Sequence, residues 1–173
     1  MIKYFVWFLP LIFIFHDMEE IIGMSTFLKK NKDLLEEKYP MIIKQYKDFS
    51  TEGFAFAVYE ELIICMILSA LVFFTDINVF YFVWLGVFIA FIFHLVVHII
   101  QSLILRKYVP AIVTSILCLP VSIFIIKISL DPINSGFNYI WMILGFIMVF
   151  VNLILIQRAI GWFTKKMGIN PVI

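Results

Sequence analysis

The chain has 173 residues, 64% of them hydrophobic and 14% charged, with a formal net charge of +1. A soluble domain carries about 25% charged residues, so a water-exposed globule is excluded, and a nearly neutral chain offers no basic field for nucleic acid. With a mean hydropathy of +1.06 and its apolar residues grouped in long blocks, the sequence reads as an all-α membrane protein surrounded by membrane lipids.

At the N-terminus, Lys3 precedes an apolar run over residues 4–15. The run ends in His16-Asp17-Met18-Glu19-Glu20 rather than in a small-residue cleavage site, so it reads as a retained helix and not as a signal peptide. The first span is expected over residues 2–24. Residues 25–50 form the one long polar segment, with six lysines against four acids. Leu28, Leu34, Leu35, Tyr39, Ile42 and Tyr46 interrupt it, a pattern that predicts a pair of amphipathic helices lying on the membrane surface. Pro40 suits the first turn of the second helix. Four more spans are expected over residues 51–74, 79–105, 111–130 and 139–160, each long enough to cross about 30 Å of hydrocarbon. Thr75-Asp76-Ile77-Asn78, Arg106-Lys107-Tyr108-Val109-Pro110 and residues 131–138 connect them. Pro120 is expected to kink the fourth span. Cys65 and Cys118 both sit in apolar stretches, which speaks against a disulfide framework. The expectation is a single membrane domain over 1–173: a five-helix bundle with interfacial helices between the first two spans.

Basic residues orient such a bundle. Lys29, Lys30, Lys32, Lys38, Lys44 and Lys47 lie in the first loop, Arg106 and Lys107 in the third, and Arg158, Lys165 and Lys166 at the C-terminal end. With five alternating spans all eleven fall on one side, leaving only Lys3 and Lys127 for the other. The chain is therefore read as a multi-pass protein of the cell membrane with its N-terminus outside and its C-terminus cytoplasmic.

Ionisable residues inside a span are expensive, and they mark functional sites. Here the first span holds His16, Glu19 and Glu20, the second Glu60 and Glu61, and the third His94 and His98. Spacing of three and four residues places His16 with Glu19 and Glu20 on one helical face, and His94 with His98 on another. Counting from the cytoplasmic ends, His16 and Glu20 lie about 6–12 Å deep, Glu60 and Glu61 about 14–15 Å, and His94 and His98 about 10–17 Å. Three separate segments thus deliver polar groups to one level. Asp17 points off the main face, either supporting the ligands or solvated near the interface. Tyr59, Gln101, Thr114 and Asn152 are candidate hydrogen-bond partners to the site.

Four glutamates with three neutral histidines carry a formal charge of −4, and each buried carboxylate costs about 2.5 kcal/mol or more. Two divalent cations would neutralise the set, and carboxylate-rich sites with a few histidines characterise binuclear centres in helical bundles. All seven residues, His16, Glu19, Glu20, Glu60, Glu61, His94 and His98, are therefore candidate metal ligands for one or two divalent ions, iron or zinc. Glu19 and Glu61 are the candidate catalytic carboxylates. Two irons would support oxygen chemistry of the oxygenase or desaturase kind, whereas zinc would activate water for hydrolysis. Either enzyme would act on a lipid or other apolar substrate. A metal-free acid–base isomerase and a metal or proton transporter use the same residue types. A conduit, however, needs polar residues toward both faces, and residues 4–15 and 79–93 are almost wholly apolar.

At these residues the chain resembles the HXXEE family of small bacterial membrane proteins, named for the motif that stands here as His16-Asp17-Met18-Glu19-Glu20. Glu60-Glu61, His94-x-x-x-His98 and Arg106-Lys107-Tyr108-Val109-Pro110 with Thr114 are similar to that family's pattern, over residues 10–120. Family members tend to carry Pro-Gly where this chain has Pro110-Ala111, so the turn entering the fourth span is expected to differ. The family has no assigned function; the resemblance implies a shared polar site.

Overall fold

A computed structural model describes residues 2–130 and 136–173, and the side chains of all of these except 2, 3, 136 and 137. A 3-10 turn over Ile2–Trp7 leads into α1 (Phe8–Lys38), followed by α2 (Pro40–Tyr46), α3 (Thr51–Phe74), α4 (Asn78–Leu105), α5 (Ile112–Leu130) and α6 (Gly136–Lys166). Among the described residues there is no strand. Most of the connection expected over residues 131–138 lies outside the described residues. Four helices are long and apolar enough to cross a membrane: α3, α4, α5 and residues Asn138–Lys166 of α6. Together they make the chain a multi-pass membrane protein by length and composition.

Helix α1 has the length of a span but carries Asp17, Glu19 and Glu20 along it. It also departs from the expected pair of interfacial helices. No break follows residue 24; the helix runs on to Lys38 as one piece of 31 residues, about 46 Å long. Residues 24–38 hold no proline and only one mid-helix glycine lies before them, so nothing interrupts the ladder. Leu28 and Leu35, seven residues apart, give this extension an apolar stripe, and both are buried against Met24 and Phe49. Only the second short helix, α2, forms as expected, with Pro40 in its first turn. Helix α5 runs unbroken through Pro120.

Contacts at three levels fix how the helices stand. At one end, Ser69 Oγ (2.9 Å) and Trp84 Nε1 (3.2 Å) both donate to the Val6 carbonyl, tying α3 and α4 to the N-terminal turn. In mid-bundle, α4 and α6 cross backbone to backbone: a Cβ on Gly86 would collide with the Met142 carbonyl, and one on Gly145 with that of Val83. Small residues allow this approach where no hydrophobic force drives helices together. At the lysine-rich end, Ser50 caps α3 through the Gly53 N–H (3.0 Å) and meets Thr164 Oγ1 of α6 at 2.7 Å. The C-terminal tail closes the same end, with the Val172 N–H donating to the Phe49 carbonyl at 2.8 Å.

Helix α5 packs on the bundle through a face of small residues, with Thr114, Ser115, Cys118, Ser122 and Ser129 all buried. Cys65 and Cys118 are free and buried, Cys65 within the apolar core. That core, with Leu9, Phe13, Trp84, Phe88 and Phe91 among its members, fills the half of the bundle away from the lysine-rich end.

Candidate metal centre

Successive residues of a helix point about 100° apart, so Glu19 and Glu20 flank the direction of His16 on opposite sides. Spacing alone leaves them equivalent, and the neighbouring helices separate them. Glu20 faces α4, where His94 and His98 stand one turn apart. His98 Nε2 lies 2.9 Å from Glu20 Oε1 and 3.0 Å from His94 Nε2. The rings of His16 and His94 are 5.2 Å apart, those of His16 and His98 5.1 Å, and those of His94 and His98 4.5 Å. One ligand atom from each of His16, Glu20, His94 and His98 falls within 4.8 Å of the others. The cluster sits deep: His16 is fully buried and Glu20 and His98 nearly so. Phe91 presents its ring edgewise to His16 at 5.6 Å. These four residues could hold a metal ion.

Glu19 turns the other way. Its Oε1 accepts from the Tyr108 hydroxyl (2.6 Å) and the Val113 N–H (3.3 Å), and its Oε2 from the Thr114 N–H and hydroxyl (both 2.7 Å). Val113 and Thr114 open α5, so the carboxylate caps two otherwise unpaired N–H groups of that helix from a neighbouring one. Its negative charge also suits the positive end of the helix dipole. Desolvation and the bond to Glu19 push the Tyr108 phenol up to about 12, which keeps it a donor across the physiological range.

Thr114 links the two arrangements. Its hydroxyl proton goes to Glu19, and its oxygen stands 3.2 Å from His16 Nδ1. With that proton committed, the oxygen accepts from Nδ1–H, which leaves the lone pair of His16 on Nε2, a buried atom without another partner. Outer hydrogen bonds of this kind fix the tautomer and orientation of a metal-binding histidine. Glu19 thus acts on the cluster through Thr114 and lies outside it.

The turn that delivers Thr114 holds a further departure from expectation. Ala111 has φ +71°, and the Ile112 N–H reaches back to the Val109 carbonyl at 3.2 Å. This is the conformation a Pro-Gly pair favours. The alanine keeps the glycine's geometry instead of changing the turn.

Glu60 and Glu61 stay apart from the cluster. Asn152 Nδ2 of α6 reaches Glu60 Oε2 at 3.4 Å and Glu61 Oε1 at 3.3 Å. Between α1, α3, α4 and α6 opens a cavity of about 1400 Å3, walled mainly by apolar side chains, onto which Asp17, Glu20, Glu61, His94 and Asn152 all face. Asp17 is 4% exposed, so it is not solvated, and its Oδ2 has no hydrogen-bond partner. Of the expected outer partners, Thr114 and Asn152 make such bonds. Tyr59 is exposed and Gln101 lines the cavity. Tyr108 was not among the expected partners of the site, although it stands in the run before Pro110 that resembles the family's pattern.

A family model described as a protein of unknown function with HXXEE motif matches residues 7–125. The chain belongs to the HXXEE family. Seen through this structure, the HXXEE motif divides its work. Its histidine and last glutamate enter the cluster, and its first glutamate clamps the start of α5. No curated protein and no solved structure matches the chain.

Proposed function

We propose that this chain is a membrane enzyme of five spans, α1 being the fifth, that uses one divalent metal ion, zinc or iron, to act on a lipid or other apolar substrate. The observation that carries the reading is the convergence of four ligand atoms within 4.8 Å, two of their residues, Glu20 and His94, facing a large apolar cavity. Three imidazoles with one carboxylate suit zinc or iron, and the remaining glutamates are held by other partners, which favours one ion over two. The eleven basic residues at one end support a cytoplasmic position for that end.

In this reading His16, Glu20, His94 and His98 hold the ion, which supplies Lewis-acid chemistry, polarising an oxygen of substrate or activating water. The Glu19–Thr114 chain keeps His16 Nε2 deprotonated and aimed inward. Glu61 and Asp17, facing the same cavity, are the carboxylates placed to take or give a proton. Leu9, Phe13 and Phe91 exclude water from the far side, and that apolar half argues for an occluded site over a through-going conduit.

Elemental analysis of the protein purified without chelators tests the proposal. About one zinc or iron per chain is expected, falling to background in His94→Ala. Absence of stoichiometric metal, or retention of it by His94→Ala, would overturn the reading.

A further inference from the structure

Asp17 and Glu61 form a second polar place on the cavity that Glu20 and His94 also line. Glu20 has His98 as its partner. Glu61 has a single long bond from Asn152, and Asp17 Oδ2 has none though its residue is almost wholly buried. The cavity's basic side chains, Lys47, Arg158 and Lys165, are confined to its lysine-rich end. Arg158 stands six residues, about 9 Å, along α6 from Asn152, and Lys165 is engaged with Asp48 at 3.0 Å. Among the described residues neither carboxylate is paired with a basic side chain, and a ligand's positive charge would supply that partner.

The form of that charge follows from the geometry. Among the described residues, the one group of three or more ligand atoms drawn together is the His16 cluster, so Asp17 and Glu61 do not build a second compact cation cage. An ammonium group asks less, because its three N–H donors satisfy two or three acceptors without fixed coordination angles. The rest of the cavity wall is apolar and larger than the roughly 300–1,000 Å3 of ordinary ligand pockets, which suits a hydrocarbon chain.

We propose that Asp17 and Glu61 recognise the ammonium head of a long-chain primary amine, whose hydrocarbon tail occupies the cavity between α3, α4 and α6. The proposal rests on the reading of this cavity as the substrate site and names the substrate class. The amine would lie with its head beside Glu20 and His94, within the reach of the metal centre.

Binding of hexadecylamine and of hexadecan-1-ol to the full chain in nanodiscs of zwitterionic lipid, each corrected for empty nanodiscs, tests this directly. The amine is expected to bind at least about ten-fold more tightly than the alcohol, since a charged hydrogen-bonded pair adds some 1.5–3 kcal/mol. Asp17→Asn combined with Glu61→Gln should abolish that preference, and Glu61→Gln alone, at a half-buried position, should reduce it if the double variant does not fold. His16→Ala should keep the preference while losing metal, so failure of the metal reading is distinguishable from failure of this one. Equal affinity for the two probes, or a preference that survives Glu61→Gln and the double variant, would overturn the proposal. So would a second metal ion per chain that the double variant loses.

Discussion

On one side of the bundle interior, α1 and α4 bring His16, Glu20, His94 and His98 together at contacts of 2.9 and 3.0 Å, and Thr114 reaches in behind His16. On the other, Glu60 and Glu61 share one amide, Asn152, at 3.4 and 3.3 Å. Both sides are rich in carboxylates, and both stand at similar depth in the helices. The difference lies in what surrounds them. Three imidazoles converge beside Glu20, whereas the hydrogen bonds to the pair on α3 come from a neutral amide. A charge count treats the sides as one acidic pool; their partners make them two places with different chemistry.

Exchanging one carboxylate on each side gives the largest contrast. Glu20→Gln should strip the ion, leaving metal content at background, while Glu61→Gln should leave it near one per chain; equal loss in both would erase the distinction and restore a shared binuclear centre. A smaller effect is expected behind the cluster. Thr114→Val removes the hydroxyl between Glu19 and His16, and a 10–100-fold drop in metal affinity is expected by competition with a chelator, as for other outer partners. An unchanged affinity would reduce Thr114 to a packing role. The smallest effect lies in the turn that presents Thr114. Ala111→Gly relieves a left-handed alanine and should stabilise the protein by about 0.5–1 kcal/mol, visible as a raised midpoint in thermal unfolding with metal content unchanged. A lowered midpoint would mean that the buried methyl of Ala111 contributes more by packing than its backbone costs.

Much of this was legible in the sequence, and the gaps have physical causes. Hydropathy blocks located α3, α4, α5 and α6 within a few residues, because a span must be long, apolar and nearly free of charge. The join at residue 24 was misplaced because polar composition was taken as a boundary. A helix propagates through Lys, Asp, Glu and Leu readily, and the Leu28–Leu35 stripe that fastens the extension has its partners in Phe49 and the C-terminal tail, distant in sequence. For the site, i and i+4 spacing paired His16 with Glu20 and His94 with His98. It left Glu19 undecided, since its role depends on Val113 and Thr114, some 95 residues away. The separation of Glu61 from the cluster depends likewise on Asn152 of α6, ninety-one residues downstream.

The unbroken course of α1 makes it a lever. Its one mid-helix glycine, Gly23, is pressed so closely on Pro110 that an added Cβ would stand 3.0 Å from the ring, which gives the rod a fulcrum. One arm carries His16 and Glu20; the other carries Asn31, held by Lys107 at 2.7 Å, and the buried Leu35. The same unbroken rod therefore joins the contacts of the lysine-rich end to two of the four residues of the buried cluster.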